Sequence, residues 1–396
     1  MIQLFAVVLP VLILFCGLSI DIGMIELTKL QMQSAADAAA LSAELEAERG
    51  TGLWTSIAQL DSGINGFLSG SNNNLVSVVE TATFGAYNGR NDALETTITK
   101  NIHTIFMGAL NGGIFTVTVK SVALMTPCVY LMDNKHLQSY ALVTTSGSLT
   151  GSSCPVYINT NMYLGTSGIV STEAIDLAGS AASSSVSGYV YPPATYNVPV
   201  APDPLAATTS PTFVGCNHTS TNITSGIVTL DPGTYCKGLN ISNAIVNLNP
   251  GLYIITGGAT WTSATVAGTG VTLFFTQGGG GSYGSFKIQY SIVNLSAPTD
   301  SSAGGTPGIL VFGDRNWVAT NPQDFSVNTS TVYGDGIWYI SNTGLYIWSS
   351  GVMTGPHYFG IVADNLYYGG TYVIPLNNYS YVSTGNPMRR LGGLIQ

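Results

Sequence analysis

The chain opens on twenty residues, MIQLFAVVLPVLILFCGLSI, with no ionised side chain; the first is Asp21. At helical rise such a run spans about 30 Å, the thickness of a bilayer core. After Asp21 the apolar positions become periodic. Met24, Ile25, Leu27, Leu30, Met32, Ala35, Ala36, Ala39, Ala40 and Leu41 recur at three- and four-residue steps, with Glu26, Lys29, Gln33 and Asp37 between them. The pattern predicts one continuous helix, apolar and then amphipathic, roughly 70 Å long. A membrane anchor needs only the first twenty residues, so the remaining turns call for a partner, and further copies of the same helix are the best candidate.

Within this helix Pro10 removes a hydrogen bond and is expected to kink or loosen the run. Gly17 and Gly23, with the alanines at 35–40, offer smooth patches for close helix–helix approach. Asp21 is expected either to mark the water boundary or to meet a cation of another copy, an N-terminal ammonium or Lys29. Cys16 is expected as a buried free thiol. No basic side chain precedes or enters residues 1–15, and no small-residue cleavage site follows the apolar run, so the helix reads as retained in the mature protein.

Residues 51–126 read as a small α+β collar. Trp54, Ile57, Leu60, Ile64 and Leu68 predict a short amphipathic helix, residues 70–74 a turn, and Val76, Val78 and Val79 a strand. Leu94, Ile98, Ile102, Ile105, Phe106 and Leu110 predict a helix over 93–110, and residues 114–122 alternate as a strand.

From residue 127 the chain consists of short apolar runs broken by Gly, Ser, Thr and Asn. VTLDPGTY at 228–235 is echoed by VNLNPGLY 18 residues later, and eight further strand-like runs follow. A period near twenty with no helix between strands points to a parallel β-helix, its corners turned by Pro-Gly, rather than a β-sandwich. The six prolines of 191–211 predict an extended surface loop, and QGGGGS at 277–282 a flexible tip. The fold class expected is α+β, in three domains: the helix at 1–50, the collar at 51–126 and a large right-handed parallel β-helix at 127–396.

Composition narrows the function. Apolar residues make up 45% and charged residues only 8%, against about 25% charged in an ordinary soluble domain. Polarity must come from Ser, Thr, Asn and Gly, which suits a turn-rich extracellular β structure packed on its own copies. Lys and Arg total 11 with no basic stripe, and the net charge is −9. Nucleic acid is therefore not an expected partner. Four cysteines pair most simply by proximity, Cys128 with Cys154 and Cys216 with Cys236, although three connectivities exist; disulfides imply an oxidising compartment. Six sequons, at Asn217, Asn222, Asn240, Asn294, Asn328 and Asn378, are candidate glycosylation sites. No catalytic motif, metal-ligand spacing or cofactor signature occurs. Asp314–Arg315 is the one adjacent acid–base pair in the C-terminal region, and His103, His136, His218 and His357 show no ligand spacing.

The stretch GLSIDIGMIELTKLQMQSAADAAALSAE, residues 17–44, resembles the N-terminal segment of TadE/TadG-like Flp (tight-adherence) pilus-assembly proteins. The shared pattern is an apolar run ending in G-L-x-x-D-x-G (Gly17, Leu18, Asp21, Gly23), then L-Q, then A-A-D-A-A-A-L at 35–41. Residues 93–122 resemble, more weakly, the segment that follows the helix in TadG-like proteins. CPVYIN at 154–159, LDPGTYC at 230–236, PGILVFGDR at 307–315 and GIVAD at 360–364 resemble a β-helical region of some family members, which supports the proposed cysteine pairing. The resemblance implies a structural subunit of an extracellular pilus-like filament, held in the inner membrane before it polymerises through Pro10, Gly17, Asp21, Gly23, Glu26, Lys29 and Asp37. The alternatives are a membrane-anchored minor component or adhesin, with a host surface or glycan as partner, and a β-helix carbohydrate-active enzyme. The first of these readings needs no enzyme activity and no cofactor.

Overall fold

The computed structural model describes residues 2–48, 51–83, 88–111, 113–134, 139–151, 154–180, 182–184, 189–317, 323–355, 357–371, 373–375, 388 and 394–395; the side chains of 2–7, 10–11, 48, 109–111, 182–184, 375 and 394–395 are outside this set. The chain divides into two compact units, residues 1–125 with 391–396, and residues 126–390.

In the N-terminal unit, helix α1 (Ile2–Glu48) is followed by α2 (Trp54–Ile64), β1 (Asn74–Val79), β2 (Ala93–His103), α3 (Phe106–Asn111) and β3 (Ile114–Leu124). The strands form an antiparallel sheet in the order β1, β2, β3, extended by the short strand Leu394–Ile395 beside β3. Met32, Ala35 and Ala36 of α1 pack with Val76, Ile98, Val117 and Val119 of the sheet. Ala39, Ala43 and Ala47 pack with Ala58 of α2. One face of the amphipathic half of α1 therefore packs within its own chain, while Leu27 and Leu30 on the other side stay exposed. The alanines do allow close helix approach, but to α2.

Residues 93–103 form a strand, where a helix was expected. Leu94, Ile98 and Ile102 are spaced by four, which suits one face of a helix and equally one face of a strand. The β-branched run Thr96-Thr97-Ile98-Thr99 favours the strand. Unbroken pairing with β3, from Ala93 opposite Leu124 to His103 opposite Ile114, fixes it. Only the last residues of the expected helix, in α3, are helical.

The second unit is strand-rich and its ladders are parallel. Three ladders share one apolar core. In the first, Leu239, Ala259, Phe286, Phe325, Leu345, Leu366, Leu142 and Met162 are successive register partners. In the second, Val228, Val246, Val266, Val293, Val332 and Met353 follow one another. In the third, Tyr253, Leu273, Val311, Trp338, Ile361, Val129, Val156 and Ile175 do so. The 18-residue echo is thus a pair of neighbouring rungs. Its Pro-Gly corners need glycine: Gly251 has φ 142°, and a Cβ there would sit 2.5 Å from Pro232 Cγ.

Strand order departs from chain order. The strand Phe359–Tyr368, near the end of this unit, pairs with Val129–Leu131 and Leu142–Gly151 at its beginning. The chain therefore enters mid-stack, builds outward as far as Thr195–Tyr196, crosses to the far end, and builds back. The crossing is the proline-rich segment, a strap over the third ladder. Ala201 N–H donates to Asn159 Oδ1 at 2.8 Å, and Asn159 Nδ2 donates to Ala201 O at 2.9 Å. Tyr339 OH donates to Asp203 at 2.6 Å. The Arg315 guanidinium donates to the carbonyls of Leu205 and Thr208 at 2.6 and 2.8 Å and to the Ser210 hydroxyl at 2.9 Å. The disulfide Cys216–Cys236 fastens the far end, and Cys128–Cys154 joins two rungs near the entry. Under the strap the third ladder is apolar on alternate residues as well: Phe274, Phe312, Tyr339, Val362 and Tyr130 are all buried. A parallel sheet covered on both faces reads as such continuous apolar runs.

Candidate assembly helix and its seat

Gly17 and Asp21 are four residues apart, hence on one face of α1. Both are buried, and both receive the start of α3. The Asp21 carboxylate accepts backbone N–H groups of Ile105 at 3.0 Å, Phe106 at 2.8 Å and Met107 at 2.7 Å. These are the amides that a helix start leaves without intrahelical partners. Burial raises the Asp21 carboxyl, but the three amide donors outweigh it and hold the group below the usual carboxylate range. A Cβ on Gly17 would overlap the Phe106 ring. The glycine makes room for the ring, and the aspartate caps the turn that carries it.

Residues 1–48 match the family model Tad, Flp pilus-assembly TadE/G-like.

The match covers the helix and stops where α1 stops. In this Tad-like segment the G-L-x-x-D motif thus acquires a concrete structural role, the seating of α3. Asp21 was expected to face water or a cation of another copy; its partners are three amides of its own chain, 84 to 86 residues away. Gly17, expected at a helix–helix contact, meets Phe106. Gly23 has open space around it. Glu26 and Lys29 are exposed, and Asp37 accepts from Gln33 Nε2 at 2.9 Å, the same nitrogen that reaches Lys120 O at 3.1 Å. Helix α1 runs on through Pro10, whose side chain lies outside the described set. Cys16, expected buried, is exposed. No curated protein and no solved structure matches the chain.

Ahead of Asp21, apart from the Gly17 contact, the described apolar side chains are largely uncovered: Leu12, Ile13, Leu14, Phe15 and Ile20 are exposed, Phe15 at 62%. The exposure continues past Asp21 on the side away from the sheet, through Ile22, Met24, Leu27 at 58% and Leu30 at 68%. Among the residues whose side chains are described, which leave out 2–7 and 10–11, no helix is long and apolar enough to cross a membrane.

The other sequence candidates lie in the parallel unit. Asn217 Oδ1 accepts the Thr234 amide at 2.8 Å. Asn240 Nδ2 donates to Asn222 Oδ1 at 3.0 Å, so these two sequons form an amide ladder between rungs. Asn294 is exposed, Asn328 is half-buried, and Asn378 and His136 lie outside the described residues. Asp314 and Arg315 take separate partners: Asp314 accepts from Thr276 Oγ1 at 2.5 Å and the Asn316 amide at 2.9 Å, whereas Arg315 holds the strap. His357 Nδ1 lies 2.6 Å from Asp335. Among the described residues, no three His, Cys, Asp or Glu side chains are grouped to hold a metal.

Proposed function

We propose that the protein is a structural subunit of an extracellular pilus-like filament of the tight-adherence type. The apolar front of α1 packs against copies of itself, and the parallel unit stands at the filament surface. One observation carries this: the exposed apolar strip does not end at Asp21 but runs on through Leu27 and Leu30. A membrane anchor has no use for apolar side chains that far beyond its boundary residue, whereas a helix bundle has. Before assembly the front segment resides in the inner membrane. The two disulfides fit the oxidising compartment outside it. We read the parallel unit as a right-handed β-helix, because the chain visits three ladders in turn and parallel crossovers take that hand. We read it as non-enzymatic, because its adjacent acid–base pair is taken up by structural contacts, Arg315 with the strap and Asp314 with Thr276 and the Asn316 amide.

Replacing Leu27 and Leu30 by Ser spares every buried contact of α1. Negative-stain imaging of cells carrying this double variant is expected to show no filaments of the protein, with export unchanged. Filaments of normal number would instead favour an anchored minor component.

A further inference from the structure

Among the described residues, no strap crosses the outward side of the first ladder. Its successive register partners are Thr260, Lys287, Ser326, Tyr346, Tyr367, Val143 and Tyr163. Rungs stand about 4.8 Å apart, so long side chains on neighbouring rungs touch. The Tyr346 and Tyr367 rings stack at 4.5 Å and 13°, with Trp348 beside both. Ser326 breaks the row. This small side chain between Lys287 and Tyr346 leaves a slot two rungs wide, part of a cleft of about 180 Å³. Tyr367 covers one face of the Tyr346 ring; the other face forms a wall of the cleft. Ser285, Lys287, Gln289, Gln323, Asp324 and Asn328 line the rest.

We propose that this slot binds a neutral oligosaccharide, one pyranose ring lying against the free face of Tyr346 and its hydroxyls bonding to Asp324, Asn328, Gln289 and Lys287. The pairing of chemistries is specific. An aromatic face suits the C–H face of a sugar, while a carboxylate, two carboxamides and an ammonium supply acceptors and donors to a ring of hydroxyls. The cleft holds one cation and one anion, so it selects no net charge, unlike a site for a sulfated glycan, a nucleic acid or a charged peptide. The run from the slot to Tyr367 and Trp348 continues along the ladder, as a linear chain of sugars would. This inference does not depend on whether the protein polymerises.

The test is titration of the purified full-length protein in detergent with four neutral hexasaccharides, built of α-glucose, β-glucose, mannose and N-acetylglucosamine, followed by calorimetry and tryptophan fluorescence. Saturable binding to at least one is expected, with Kd below about 1 mM, or about −4 kcal/mol. Ser326→Tyr, which continues the ring ladder and fills the slot, should weaken that binding at least tenfold, as should Tyr346→Ala. Tyr163→Ala, on the same ladder but outside the cleft, should leave it unchanged. Absence of saturable binding to all four sugars overturns the proposal, and so does binding that Ser326→Tyr leaves intact. Preferential binding of heparin or of a charged peptide at the slot overturns it as well.

Discussion

In the parallel unit each rung repeats the one beside it, so Leu239, Ala259, Phe286 and Phe325 meet like neighbours on either side. In the N-terminal unit one carboxylate, Asp21, ties α1 to a turn 84 residues away, and the fit there depends on the absence of a side chain at Gly17. Repetition spreads the energy of folding over many equivalent contacts; a single anchor concentrates it. A change to one rung should cost what that side chain buries, whereas a change at the anchor should release a whole element.

Trp261→Ala gives the largest expected loss. The side chain is fully buried and meets Phe286 edge-on at 4.9 Å, and removing it should cost about 3–5 kcal/mol, read from denaturant unfolding. If a distributed core absorbs single losses, the unit still folds cooperatively at low temperature. The double variant Cys216→Ser, Cys236→Ser frees the far end of the strap. Its 20-residue separation corresponds to about 3 kcal/mol in the loop-entropy account, and proteolysis should then begin near residue 213. Gly17→Leu drives a side chain into the Phe106 ring and should cost about 1–3 kcal/mol. Hydrogen exchange should show that cost as lost protection at 105–107, with the parallel ladders unmoved; a global loss would erase the contrast between the units.

Acid gives the smallest effect and the most selective one. The carboxyls of Asp21 and Glu95 are both held below their ordinary values in the fold, Glu95 by Lys120 Nζ at 2.6 Å and by Thr83 against the cost of burial. Their contribution is complete above the unfolded values near pH 4. It falls away as the pH drops through the lower, folded values. Protection of the 105–107 amides, corrected for intrinsic exchange rates, should decline below about pH 4 while the first ladder stays protected.

Local periodicity made α1, α2, β3 and the echo of Val228 in Val246 readable, because each is set by neighbours in sequence. The proline-rich strap was legible as an extended segment, and both cysteine pairs lie close in sequence. What escaped was long-range. Nothing near Asp21 names Ile105–Met107 as its partner, since a carboxylate can satisfy itself with any free amides that the fold delivers. The spacing of Leu94, Ile98 and Ile102 is shared by helix and strand, and only β3 decides between them. The slot beside Ser326 exists because three distant segments are in register, a relation that no single stretch of sequence contains.

The out-of-order stacking has a consequence for synthesis. As the chain leaves the ribosome, its first rungs, 129–172, emerge with one edge bare, and the strand that covers that edge, Phe359–Tyr368, is made some two hundred residues later. A nascent chain with an unpaired sheet edge invites wrong partners. This molecule must therefore be shielded until its closing strand arrives, and chains cut short before residue 359 should clump.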